Sequence, residues 1–193
     1  MDKMRRIFTG VMSLVLVGVF TLCPAFAASS FPDVDENAAY AEAVQCVNEM
    51  EIMQGDNKGN FNPDKNVTRA EMAAIICRML YEDASATDGT VFSDVPASHW
   101  ANGYIVKAAE LGIISGYGNG KFGPSDTVTY EQAVTMLVRA TGGGGEAENL
   151  GGYPDGYIKL ASEYGLLEDI HVSQGSNFSR GNVAILLYNF IKK

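Results

Sequence analysis

Six stretches of the chain carry apolar residues at the three- and four-residue intervals of a helix with one buried side. The stripes are Ala43, Val44, Val47 and Met50; Met72, Ile75, Ile76 and Met79; and Tyr104, Ile105, Ala108 and Leu111. They continue as Ala133, Met136, Leu137 and Ala140; Tyr157, Ile158, Ala161 and Tyr164; and Val183, Leu186, Leu187 and Phe190. Turn-rich loops, Gly55 to Pro63 and Gly116 to Pro124, separate the first two pairs of stripes. One large apolar side chain is common to both loops, Phe61 in one and Phe122 in the other. The pattern predicts an all-α chain of three helix-loop-helix units, with each Phe plugging its loop onto the helices.

The units are copies. Shifting the sequence by 61 positions places Phe31, Asp33, Val34, Glu49, Ile52, Gly55, Gly59, Phe61, Pro63, Val67, Thr68 and Arg78 on identical residues, from Phe92, Asp94 and Val95 through to Thr129 and Arg139. The expected boundaries are 31–81, 92–141 and 153–193, with 82–91 and the glycine-rich 142–152 as linkers. Helices this short cannot bury their stripes alone, so the three units are expected to share one core. Gly112 and Gly165 suit the left-handed residue that ends a helix, whereas Glu51 stands at that place in unit one, at a cost of about 1 kcal/mol.

Residues 1–27 open with Lys3, Arg5 and Arg6, continue through an apolar run from Ile7 to Leu22 and end in Ala25, Phe26, Ala27, the pattern of a secretory signal peptide. Without it, 166 residues remain with 11 Lys plus Arg against 22 Asp plus Glu, a net charge of −11. Bulk charge therefore disfavours nucleic acid, and no membrane insertion is expected after signal removal. Cys23 leaves with the signal, while Cys46 and Cys77 are open to either a disulfide or buried thiols.

Candidate chemistry concentrates where the second helices begin, at Thr68, Thr129 and Ser179. Thr68 with Glu71, and Thr129 with Gln132, read as capping boxes. Arg69 and Arg180 do not fit that explanation, because a cation in the first turn opposes the helix dipole. Free N–H groups and a guanidinium at one place suit a carboxylate, so both arginines are candidate anion ligands, with Tyr130 at the matching position of unit two. Asp33 and Asp94 are expected to cap a helix or pin a loop, and Gly55 and Gly116 to serve the turns. Trp100 is open to core packing or to a cleft where a sugar ring lies on its face. The glycines at 118, 120 and 123 follow a helix rather than a strand, and Asp56 to Asn60 lacks the glycine of a calcium loop. No metal, cofactor or catalytic constellation is expected.

Taken together, Phe31-Pro32-Asp33-Val34, Phe92-Ser93-Asp94-Val95, His99-Trp100-Ala101, Leu111-Gly112-Ile113-Ile114-Ser115-Gly116, Gly120-Lys121-Phe122-Gly123-Pro124 and Val67-Thr68-Arg69-Ala70-Glu71 resemble the S-layer homology family. The resemblance implies a pseudo-threefold bundle with grooves between units. It also implies non-covalent, non-catalytic binding to a secondary cell-wall polysaccharide bearing ketal-linked pyruvate, on the peptidoglycan of a Gram-positive-type envelope or S-layer. The family's arginine maps to Arg69 and Arg180, with Tyr130 and Gln132 at the matching positions of unit two; with Glu71 and Trp100 these are the expected ligand-binding residues. Unit three departs from the pattern, with Ser179-Arg180-Gly181-Asn182 and no Gly-x-Phe-x-Pro loop, so one groove is expected to be structural. The alternatives are an envelope scaffold that recruits a protein partner and a small wall hydrolase.

Overall fold

The computed structural model describes residues 31–80, 84 and 89–193. The expected signal peptide and most of the first linker lie outside these residues. Seven helices are described: α1 Ala41–Glu49, α2 Arg69–Met79, α3 Asn102–Glu110, α4 Tyr130–Ala140, α5 Gly144–Asn149, α6 Asp155–Glu163 and α7 Arg180–Ile191. The six long ones coincide with the six apolar stripes. Among the described residues no helix is long and apolar enough to cross a membrane.

Packing follows one rule. Each first helix lies on the second helix of the preceding unit: α3 on α2, α6 on α4, and α1 on α7. The α1–α7 pair joins the two ends of the described chain, and the Tyr188 hydroxyl of α7 donates to Glu42 Oε1 of α1 at 2.6 Å. Helix α4 also touches both α2 and α7. The stripes merge into one core in which Val44, Val47, Met72, Ile76, Leu137, Leu160 and Leu186 are almost wholly buried.

The residues just before the second helices close a ring. Val67 N–H donates to Phe178 O at 3.0 Å, Phe178 N–H to Val128 O at 2.9 Å, and Val128 N–H to Val67 O at 2.9 Å. Isolated bridges flank it, Asn66 with Ser179, Thr68 with Thr127 and Thr129 with Asn177. All three ring side chains are fully buried, so the bonds are shielded from competing water.

The loops hang from this framework as the repeat predicts. Phe61 and Phe122 are fully buried and meet Phe31 and Phe92, with ring centres 5.4 Å and 5.3 Å apart. Asp33 accepts hydrogen bonds from Phe61 N–H and Asn62 N–H, and Asp94 accepts from Phe122 N–H and Gly123 N–H. Both aspartates therefore pin loops, and neither caps a helix. Gly116 is required by close approach, because a Cβ there would lie 2.5 Å from Phe92 Cε1 and 2.6 Å from Lys121 O. Gly55 meets Phe31 in the same way.

Two expectations change and one open alternative is decided. The stretch 142–152 is not a plain linker, since α5 forms within it and packs on α4 and α6 with Ala147 fully buried. Its acids explain this: Glu148 accepts from the Tyr157 hydroxyl at 2.8 Å and Glu146 from that of Tyr164 at 3.2 Å. Leu111 closes the third stripe but is 42% exposed, because the chain turns away at Gly112. Cys77 keeps its thiol, 3.5 Å from Tyr104 O, so it makes no disulfide with Cys46.

Two stability predictions follow. Phe122→Ala should cost about 3–5 kcal/mol, read from the urea midpoint, because a fully buried ring leaves a cavity under its loop; a loss within experimental error would show that the loop is held without it. Glu51 has φ 58°, where Gly112 has 70° and Gly165 has 65°. Glu51→Gly should therefore raise stability by up to about 1 kcal/mol, with relief of left-handed strain outweighing glycine's entropy; a clear fall in melting temperature would refute that.

Candidate functional site

Each second helix begins inside its neighbour's loop. Arg69 N–H donates to Asp126 O and Ala70 N–H to Pro124 O; Arg180 N–H donates to Lys65 O and Gly181 N–H to Pro63 O. Tyr130 N–H likewise donates to Ser176 O. Thr68 caps α2 with Glu71 as expected, the Glu71 N–H reaching Thr68 Oγ1 at 3.2 Å and the Thr68 N–H reaching Glu71 Oε2 at 2.8 Å. Gln132 Oε1 accepts from Thr129 N–H at 3.3 Å, and Ser179 Oγ accepts from Asn182 N–H at 3.3 Å. These leading amides are thus already engaged, which corrects the expectation that free helix-end N–H groups await an anion.

The arginines reach further along the same loops. Arg180 donates from Nε to Phe61 O and from Nη2 to Gln54 O, both at 2.7 Å, and its guanidinium carbon lies 4.6 Å from the centre of the Phe61 ring. Arg69 repeats this with Phe122 O and Ser115 O, both at 2.8 Å, and lies 4.5 Å from the Phe122 ring centre. Burial pushes both guanidinium groups below their ordinary pKa, although each stays charged at any physiological pH. Among the described residues neither has a carboxylate within 4.0 Å.

Around Arg180 lies a groove of about 240 Å³ built by all three units. Helix α2 supplies Glu71, Ala74, Ile75 and Arg78, which fall on one face because they are spaced by three and four residues. The start of the unit-one loop supplies Met53, Gln54 and Gly55; unit two supplies Trp100 and unit three Arg180. Trp100 is 59% exposed, lines this groove and stacks on His99 with ring centres 5.9 Å apart, so it is not a core side chain.

Charge in the groove is opposite to that of the protein as a whole. Arg78 and Arg180 face a single acid, Glu71, whose carboxylate is 3.1 Å from Lys65 Nζ. Burial by itself would raise the Glu71 pKa, but the Thr68 N–H and Lys65 outweigh it and hold the carboxyl below its ordinary value. The lining combines two guanidinium groups and an indole with apolar Met53, Ala74 and Ile75, surroundings that suit an anion with an apolar, ring-shaped remainder.

The remaining expected residues separate. Arg69 is 7% exposed and Tyr130 is also buried, its ring 5.7 Å from that of Phe178. Gln132 is occupied with Thr129, and Asn189, the counterpart of Arg78 in unit three, is buried and donates to Leu166 O and Glu168 O. The seam of Tyr130 therefore carries no comparable cation. Asp56 accepts from Asn60 N–H, the Asn62 amide and Lys58 N–H, which hold its carboxyl at about 2, so it closes a turn. Reading the residues alone missed Arg78 and Gln54 as groove residues. The signal for Arg78 was present, since it recurs as Arg139 at the 61-residue shift although no helix cap or turn requires it.

Comparison with known proteins gives this geometry a family. The chain is 34% identical over 192 residues to a "Cell surface protein" of Thermoanaerobacter kivui, covering 97% of this chain and 24% of that protein. It is 33% identical over 175 residues to a "Surface layer protein" of Brevibacillus choshinensis, covering 87% and 15%, and 29% identical over 196 residues to a "Middle cell wall protein" of Brevibacillus brevis, covering 98% and 18%. The chain thus spans less than a quarter of each of these relatives. The two repeats found by the 61-residue shift contain the segments that match a known family, the S-layer homology domain, at residues 30–73 and 91–134.

Proposed function

We propose that the protein is exported and anchors at the bacterial cell surface by binding an anionic wall polysaccharide in the groove of Arg180, without catalysis. The observation that carries this reading is the convergence of Arg180, Arg78 and the exposed Trp100 on one groove in an otherwise acidic protein. Names of relatives as cell-surface, surface-layer and cell-wall proteins agree with it. In this reading 153–193 is a third, divergent repeat and the three units form a pseudo-threefold body, supported by the cyclic helix packing and the closed hydrogen-bond ring. The ligand is a secondary wall polysaccharide whose pyruvate ketal presents its carboxylate to the guanidinium groups. Trp100 receives the sugar face, and Glu71 accepts from a sugar hydroxyl.

Long-range charge opposes this encounter, since protein and polymer are both acidic. Affinity then comes from short contacts, and salt should change it only modestly. In a wall-pelleting assay Arg180→Ala should weaken binding by roughly 10- to 100-fold through loss of a charge-assisted contact. Trp100→Ala, at an exposed position, should weaken it by roughly 3- to 10-fold with melting temperature unchanged. Full retention of both variants on the wall, or unchanged binding after chemical removal of pyruvate, would refute the assignment.

A further inference from the structure

Shifting the groove of Arg180 by one repeat gives a second arrangement on the seam between units one and two. Ser115, Gln132 and Arg139 replace Gln54, Glu71 and Arg78, and Arg69 replaces Arg180. Both guanidinium groups are held alike from below, on a Phe ring and two loop carbonyls.

The difference lies above. The centre of the Tyr117 ring stands 4.8 Å from the guanidinium carbon of Arg69, which leaves that side chain between two aromatic rings and the residue only 7% exposed. The Tyr117 hydroxyl donates to Asp126 Oδ2 at 2.9 Å, fixing the ring in place. Gly123, with φ +70°, makes room for the pair: a Cβ there would lie 2.6 Å from Tyr117 Cε2 and would also collide with the Asp126 carboxylate. Unit one has Asp56, Lys65 and Asn62 at these three positions. There Asp56 binds the Asn62 amide at 3.0 Å and Lys65 reaches Glu71 at 3.1 Å, so no ring comes from that side onto Arg180.

We propose that Tyr117 is a built-in cover, shielding on Arg69 the guanidinium that on Arg180 borders the groove. The protein therefore presents one open saccharide site and one covered site, and Arg69 serves as a clamp between units one and two while the cover is down. Tyr117 is itself 51% exposed and held by a hydrogen bond at the surface, so the cover can be removed without opening the core. The ligand named here rests on the carbohydrate-binding reading above; the cover does not.

The experiment separates the two. Phenylglyoxal labels accessible guanidinium groups, and peptide mass spectrometry gives the rate at each arginine. Arg69 in the unaltered protein should label roughly tenfold or more slowly than in Tyr117→Ser, and Tyr117→Phe, which keeps the ring and loses the hydroxyl, should fall between. Calorimetric titration with a methyl glycoside carrying a pyruvate ketal should give one site in the unaltered protein and two in Tyr117→Ser. Arg180→Ala should leave none, and Tyr117→Ser with Arg180→Ala should leave one. Equal labelling of Arg69 with and without the Tyr117 ring, or two equal sites before Tyr117 is changed, overturns the cover. A probe that binds none of these proteins overturns the carbohydrate reading alone, because the labelling rates still decide whether Tyr117 shields Arg69.

Discussion

Three buried backbone hydrogen bonds, linking Val67, Phe178 and Val128 in a closed ring, are the constraint on which the other contacts depend. Each donor and its acceptor lie in different units, so no unit can satisfy its own segment before the second helix. A buried amide left without a partner costs about 1–3 kcal/mol, and the ring therefore favours all three units being present and in register. With the ring closed, every second helix starts at a fixed height and its first amides enter the neighbouring loop.

That placement decides what the arginines do. A guanidinium in the first turn is unfavourable against the helix dipole, yet here the dipole is already answered by the neighbour's carbonyls. Arg69 and Arg180 extend the same pattern outward, each donating to two more carbonyls and lying on a buried Phe ring. Their first role is to fasten one unit's loop to the next unit's helix. Positive charge is thereby held rigidly at the seam, the pre-organisation that the proposed anion site requires.

The seams between neighbouring helices are lined by different side chains. One carries Arg180 with Arg78 and Trp100 around an open groove; another holds Arg69 under Tyr117; the third has Tyr130 and Asn189, both buried. The scaffold tolerates these differences because the ring uses only backbone groups, leaving side chains beside it free to vary. Where the polar side chains of the third seam are engaged with the protein itself, they reinforce packing.

The six stripes and the capping Thr68 were legible because each depends on residues a few positions away, whose geometry the backbone period fixes, and Phe61 and Phe122 because they recur in both loops. Even the strained Glu51 could be read, by comparison with Gly112. The short helix α5 was not legible, since its glycines disfavour helix and it is stabilised by tertiary contacts, the burial of Ala147 and the bonds to Tyr157 and Tyr164. The groove was hidden for the same reason at larger scale. Glu71 and Arg78 share a face by local spacing, but Trp100 and Arg180 join them from 22 and 102 residues beyond Arg78, through packing that no local pattern encodes. Sequence by itself determined the repeating helical unit, its caps and the identity of the arginines. The tertiary structure decided which arginine borders a groove while half-buried and which lies beneath a second aromatic ring, because exposure is a property of what neighbouring units place around a side chain.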